Sequence, residues 1–418
     1  MELVDCRRLT GPSLFSDEPC AVLEADLLPE ETERIIARWS WHARRMLEAI
    51  GWADRTTSAH RLHGGVMFVL SAPADGLYAA TEVAEWAWQA TRAESTDDEP
   101  PDFETDAEAF KRVIAEEGNA ALIELAAAAR AHGVTFLADE ERVSVGLGTG
   151  VRSWAPRALP PSAEVPWKGV HDIPVALIAG SHGKTTCVRL VAAIVNAAGK
   201  RAGHSTSAAL TIGDEIIERG DCADAESARE LLRERRVQIA LLEAPREELW
   251  HRGLPVPRAS TALITTVAEE PSDELGARSP DELADVTWIV TRALGTTRPL
   301  VLNADDPGTV LLAARARTSI VWYSSNPEHP LLAAHAERGS TIWTVREGML
   351  GYQRGLTWRQ VIAAADLQPG SMGSSEHDVA NALASAALAH ALELPDRAIA
   401  AGLRAAHVAA EPKAERRA

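Results

Sequence analysis

Cysteine is scarce in this chain of 418 residues. Cys6, Cys20, Cys187 and Cys222 are scattered without a Cys-x-x-Cys pair, which excludes a disulfide framework or a zinc ribbon as a reading of their spacing. Long apolar runs are absent as well. No segment reaches the roughly 18 apolar residues of a membrane-spanning helix, and the opening "MELVDCRRLTGPS" has no apolar core of a secretory leader. A cytoplasmic location is the resulting expectation. Basic charge is in deficit. Forty-two Lys and Arg stand against sixty Asp and Glu, a formal net charge of −18, which argues against nucleic acid or an acidic membrane as a general partner. Solubility is the ordinary meaning of such a charge. Part of the excess is local, in "ESTDDEPPDFETDAE" from Glu94 to Glu108, a stretch expected to be a solvated loop. Internal repeats and low-complexity tracts are lacking too.

What is there organises into two patterns. The length allows two or three domains. Residues 1–147 read as α+β, with strands at Ala21–Leu27 and Gly64–Leu70. Helices are expected at Glu30–Ile50, where Ile35, Ile36, Trp39 and Leu47 fall near helical spacing, at Leu77–Arg92, and once or twice over Ala107–His132 up to Gly133. Residues 148–172 are rich in Gly and Pro and read as a linker. From Ile173 to residue 405, short apolar strands alternate with helices. The strands are "PVALIAG", "VQIALLEA", "TALITTV", "TWIVT", "PLVLNA" and "SIVWYS"; the helices cover about 184–198, 225–235, 308–316 and 378–404. Residues 406–418 form a tail. This alternation predicts an α/β fold with a mostly parallel sheet covered on both faces.

One stretch carries chemistry. "IAGSHGKTT" runs from Ile178 to Thr186, between a strand and a helix. A glycine turn there aims backbone N–H groups and a helix start at one place, which suits an anion. The candidate binding residues are Gly180, Ser181, His182, Gly183, Lys184, Thr185 and Thr186. Lys184 supplies a point charge for terminal phosphates, and the Thr185 hydroxyl suits Mg²⁺. The spacing Gly-x-x-Gly-Lys-Thr-Thr is shorter than the usual phosphate loop. A glycine turn with a surface lysine is the alternative.

An ordered set of further stretches sharpens this. "IAGSHGKTT" resembles the nucleotide loop of the Mur ligases. "GDCADAESARELL" from Gly220 and "ALLEAPREELWHRGL" from Ala240 resemble the Mur half of cyanophycin synthetases. "LVLNADDP" from Leu300 and "EHDVANALASAALAHALEL" from Glu376 resemble later motifs of the same family. "RRLTGPSLF" near the front resembles the start of the cyanophycin synthetase N-terminal domain, so the resemblance covers nearly the whole chain. It implies ATP and Mg²⁺ as cofactors, phosphorylation of a carboxylate, and attack of an amine on the acyl phosphate. It implies a catalytic role for Lys184 and Glu243, metal binding by Thr185 and Glu243, adenine recognition by Asn303, and a place near the nucleotide for His377 and Asn381. Read alone, Glu243 is an exposed strand-end acid, Asp305 and Asp306 are turn or cap residues before Pro307, and His377 is a core or cap histidine.

The chain also departs from the family. In a gapless register Thr266, Glu270 and Pro271 replace an Asn, an Asp and a metal-site His, and proline offers no donor atom. Glu269, Glu270 or Asp273 could substitute a carboxylate, and a shifted register would bring in Asp273 and Glu274. Thr287 stands where the family has a lysine that helps hold a second Mg²⁺. Glu247 and Glu248 replace a Gly-Gly pair while Arg246 is kept. The chain stops soon after the "NALA" helix, without the family's closing lobe or an ATP-grasp domain. A zinc-protease-like His-x-x-Glu-His of some relatives is reduced to Ala79, Glu82 and Val83, too few ligands for zinc. His60 and His63 lie three apart without an evident third ligand. The expectations are therefore an ATP-dependent carboxylate–amine ligase, a degenerate nucleotide-binding pseudo-ligase serving as subunit or regulator of another ligase, or a simple ATPase. The expected partners are ATP, an amino acid or peptide carboxylate, and a homo-oligomer, a partner ligase or a subunit carrying the closing lobe, with no nucleic acid or membrane.

Overall fold

The computed structural model describes residues 1–96, 98–267, 279–367 and 375–406. The chain opens with β1 (Glu2–Leu9), β2 (Cys20–Asp26), helix α1 (Thr32–Ala49), β3 (Thr57–Leu62), β4 (Gly65–Ser71) and helix α2 (Leu77–Ala93). The strands form an antiparallel sheet in the order β1-β2-β4-β3. Ile35, Trp39, Ala43 and Met46 put one apolar stripe on α1. That stripe packs with α2 and the sheet into a core containing Trp39, Phe68 and Trp88. Two helices follow, α3 (Phe103–Glu117) and α4 (Ala120–Ala131). They are two because Gly118 takes an extended ψ of 123° and Asn119 then caps α4 by accepting from Leu122 N–H at 3.0 Å.

A small antiparallel sheet, β5 (Phe136–Ala138), β6 (Val143–Val145) and β7 (Arg152–Trp154), comes next. The segment read as a linker is packed rather than open. It holds β7 and three short 3₁₀ turns, and it buries Val151, Val165 and Val170. Richness in Gly and Pro marks irregular backbone, not a lack of contacts. We keep 1–147, 148–172 and 173–405 as a proposed division.

The remaining strands build one sheet of eleven, in the order β11-β10-β9-β12-β8-β13-β14-β15-β16-β17-β18. Its centre is parallel: β9 (Ala202–Ser205), β12 (Ile239–Glu243), β8 (Val175–Ala179), β13 (Thr261–Ile264), β14 (Leu300–Asn303), β15 (Ile320–Ser324) and β16 (Thr341–Arg346). Antiparallel arms extend it, with β10 (Ala209–Ile212) and β11 (Glu215–Arg219) on one side and β17 (Met349–Arg354) and β18 (Thr357–Ala363) on the other. One face carries α5 (Lys184–Ala197), α11 (Ser375–Ala391) and α12 (Asp396–Ala405) over Val188, Val191, Leu383 and Ile399. The other carries α6 (Ala225–Leu232), α7 (Arg246–His251) and α8 (Pro280–Trp288) over Leu231, Leu249 and Val286. Helices α9 (Pro307–Ala313) and α10 (Pro330–Glu337) complete the connections. Leu9, Val22, Met67 and Val69 of the first sheet join the second face's core, so that sheet is buried on both sides.

Three expected elements differ. Phe103–Glu108, the end of the stretch read as a solvated loop, opens α3 behind the N-cap Asp102. "TWIVT", read as a strand, is the end of α8 and a 3₁₀ turn at Ile289–Ala293. A short apolar run does not separate strand from helix by itself; the capping box of Ser279 and Glu282 starts a helix upstream and the run continues it. The single helix read over 378–404 is two. Glu393, at φ 61°, and Pro395 end one and begin the other.

Candidate functional site

Strand β8 is central, with β12 on one side and β13 on the other. The chain leaves β8 toward β9 and later returns to β13 across it, so the carboxyl end of β8 is a switch point of the kind where open α/β sheets bind ligands. The loop Gly180–Gly183 sits there. Gly180 has φ 126° and Gly183 φ 82°. A Cβ on Gly180 would lie 2.2 Å from Thr265 Oγ1, and one on Gly183 would lie 2.5 Å from Asn381 Oδ1. Both positions require glycine.

The loop is braced from β13. Ser181 N–H donates to Thr266 O at 2.9 Å and His182 N–H to Thr266 Oγ1 at 3.2 Å. Thr265 Oγ1 donates to His182 O at 2.5 Å, and Tyr323 O–H donates to Thr265 O at 3.3 Å. Those two loop amides are therefore occupied, and the start of α5, from Gly183 to Thr185, is what the loop offers to an anion.

Beside it lies a carboxylate. Glu243 ends β12 and is only 5 % exposed, so it is not the exposed strand-end acid of the local reading. Its Oε2 accepts from Thr185 O–H at 2.9 Å and from Ser207 N–H at 3.2 Å, while Thr185 Oγ1 and Ser207 Oγ stand 3.2 Å apart. Burial pushes the Glu243 carboxyl up, although Lys184, Ser207 N–H and the Thr185 hydroxyl all pull it down. Two hydroxyls and a carboxylate within hydrogen-bond reach make a hard-oxygen donor set. That set fits Mg²⁺, which takes one or two carboxylates and completes its shell with water and phosphate. Among the described residues no group of three or more His, Cys, Asp or Glu could hold a metal.

The other expected residues are distributed around this centre. Asn381, on α11, touches Gly183, and its carbonyl and Oδ1 each lie 3.8 Å from Cys187 Sγ. His377 is exposed one turn earlier. Asn303, at the end of β14, is buried, with Oδ1 accepting from Asp305 N–H at 3.0 Å. Asp306 is the N-cap of α9, accepting from Thr309 N–H at 2.7 Å, and also accepts from Val267 N–H at 3.1 Å. Thr287 is buried in α8 with its hydroxyl on Leu283 O at 3.0 Å. Ala79 and Val83 are buried in α2's core face, and His63 N–H donates to Glu282 Oε1 at 2.7 Å. Glu269, Glu270, Pro271, Asp273 and Glu274 lie outside the described residues. Ser207 was not legible as a site residue, because "STSAAL" has no distinguishing spacing. The brace by Thr265 and Thr266 was hidden in a stretch read only for what it lacked.

Residues 178–389 match the family model described as the Mur ligase middle domain. The chain belongs to this family. It is 31% identical to the cyanophycin synthetase of Trichormus variabilis over 236 residues, 56% of this chain and 26% of that protein. It is 29% identical to the UDP-N-acetylmuramoylalanine–D-glutamate ligase of Chlorobium luteolum over 273 residues, 64% of this chain and 54% of that one. Among solved structures, a UDP-N-acetylmuramoyl-L-alanyl-D-glutamate–2,6-diaminopimelate ligase aligns over 56% of this chain and 46% of its own, with TM-score 0.43 and 15% identity. The chain thus spans about a quarter of the length of the cyanophycin synthetases it matches. No described helix is long and apolar enough to cross a membrane.

Proposed function

We propose that this chain binds ATP with Mg²⁺ at the end of β8 and uses it to activate a carboxylate for amide formation. The observation that carries this reading is the meeting of Thr185, Ser207 and Glu243 at the ends of neighbouring strands β8 and β12, with Lys184 opening α5 close enough to pull the Glu243 carboxyl down. Lys184 and the start of α5 would take the charge that develops on transferring phosphoryl oxygens. Thr185 and Glu243, with Ser207, would hold the Mg²⁺. When bound, it would neutralise charge on the same phosphoryl oxygens. Asn303 would border the adenine, and His377 and Asn381 would border the nucleotide from α11. The carboxylate oxygen would attack the terminal phosphorus and release ADP. The amine nitrogen would then displace phosphate and lose a proton.

The test is calorimetric titration of the purified chain with ATP and Mg²⁺, with phosphate release followed in parallel. Lys184→Ala is expected to weaken ATP binding roughly 100-fold, the value of a charge-assisted contact, with an unchanged melting temperature. Unchanged ATP affinity would sink the assignment.

A second reading, a nucleotide-binding chain without ligation that serves another ligase, draws on two observations. Thr287 gives its hydroxyl to Leu283 O, and Thr266 is engaged in bracing the loop. Neither is placed as a metal ligand. ATP binding without amino-acid-dependent phosphate release would favour that reading; amino-acid-dependent release would favour ligation.

A further inference from the structure

Arg246 is the first residue of α7, three positions beyond Glu243. It is 8 % exposed, and its Nη1 has no hydrogen-bond partner. No ion pair or hydrogen bond engages any other part of its guanidinium among the described residues. A guanidinium stays protonated at any ordinary pH and carries five donors. An ion left buried and unpaired is strongly unfavourable, so folded proteins rarely keep one without a reason.

The neighbouring acids do not supply that partner. Glu243 accepts from Thr185 and Ser207. Glu248 accepts from Ala225 N–H at 3.3 Å, at the start of α6. Glu247 is exposed. Two other buried arginines of the same region are paired with acids. Arg7 meets Asp5 at 2.6 Å and Glu24 at 3.5 Å, and Arg233 meets Asp139. Those two cations meet a carboxylate and Arg229 donates to Thr10 Oγ1 with its Nε unpartnered, whereas Arg246, three residues beyond Glu243, meets neither an acid nor a neutral acceptor among the described residues.

We infer that Arg246 is held without a partner so that an oxyanion of a substrate can pair with it, bidentately, as arginine pairs with carboxylate or phosphoryl oxygens. The inference rests on the reading of β8 and β12 as a nucleotide site. It adds a binding group that the phosphate-loop pattern does not contain. A ligand oxyanion would complete the pair only in the bound state, which makes Arg246 a residue that lowers the stability of the free chain in exchange for affinity.

Melting temperature and calorimetric binding of wild type, Arg246→Met and Arg246→Lys test this, with three probes: the non-hydrolysable ATP analogue AMPPNP with Mg²⁺, L-aspartate and orthophosphate. Methionine keeps the apolar stem and removes the charge. The expected result is that Arg246→Met melts a few degrees higher than wild type without ligand and binds at least one probe roughly tenfold or more weakly, with Arg246→Lys between the two. Loss confined to AMPPNP or orthophosphate assigns the phosphoryl oxygens to Arg246; loss confined to L-aspartate assigns a carboxylate. Wild type and Arg246→Met binding every probe equally, wild type binding none, or Arg246→Met melting lower or failing to fold would each overturn the proposal. In the last case Arg246 is a structural residue. Lys184→Ala in the same titration separates this outcome from failure of the nucleotide site itself, since it weakens AMPPNP binding roughly 100-fold whatever Arg246 does.

Discussion

The two sheets bury polar groups in different ways. Under the four-stranded sheet, buried polar side chains each keep a partner inside the fold, although His42 Nδ1 and Arg7 Nε are left without one. Trp39 Nε1 donates to Ala84 O at 3.1 Å, Trp86 Nε1 to Asp106 at 2.9 Å, and His42 meets Glu94 at 3.0 Å. At the ends of β8, β12 and β13, buried hydroxyls and a carboxylate gather on one another, and Arg246 has no partner among the described residues. The first pattern lowers the cost of burial; the second accepts it at the site proposed to take a ligand. The comparison separates residues that hold the fold from residues held ready by it.

Breaking the first region should cost stability and spare affinity. Trp39 is fully buried against Phe68, 4.7 Å between ring centres. Trp39→Ala is expected to destabilise by about 3–5 kcal/mol, read by chemical denaturation, with the ATP affinity of the folded fraction unchanged. Lost affinity at preserved stability would erase the distinction.

His204 sharpens the comparison from within the larger sheet. It is buried in β9 with Nδ1 unpartnered, and burial, helped by the nearby Arg189, lowers its pKa from 6.5 to about 4. The unfolded chain then binds the proton and the folded chain does not, so this group's contribution to stability is present above pH 6.5 and lost as pH falls toward 4. The difference is on the order of 3 kcal/mol. His204→Leu should flatten that part of the stability–pH curve, measured as wild type minus variant. An equally steep curve in the variant would show that other groups carry it.

Glu243 should give the smallest change in stability and a large one in binding. Its carboxyl is raised by burial, so its contribution favours the fold at low pH and declines as pH rises through the raised value. Glu243→Gln keeps an acceptor for Thr185 and Ser207 and removes the buried charge. Without metal at neutral pH it should be more stable than wild type, while Mg²⁺-dependent ATP binding falls. A less stable Glu243→Gln would place Glu243 with the matched groups of the first region.

Much of this was legible from local pattern. The glycines at 180 and 183, Lys184 and the following helix stand as their spacing indicates, because a strand, a tight turn and a helix start are set by neighbours in sequence. The strands "IALLE" and "LVLN" were legible for the same reason. The hairpins β9–β11 and β16–β18 were not read, although Gly213, Gly348 and Gly355, all at positive φ, mark their turns. "TWIVT" was misread because four or five apolar residues fit a buried helix as well as a strand.

The sequence by itself determined the alternation of strand and helix, the glycine turn before α5, and the family to which both belong. Those features depend on residues within a few positions of one another. Tertiary structure alone decided that Thr266 braces the loop from 84 or more residues away, that Glu243 is buried against Thr185 and Ser207, and that Arg246 is buried without a partner among the described residues. These follow from strand order, which brings β12 and β13 to either side of β8. No local pattern encodes which strands become neighbours, because that choice is made by burying both faces of the whole sheet at once.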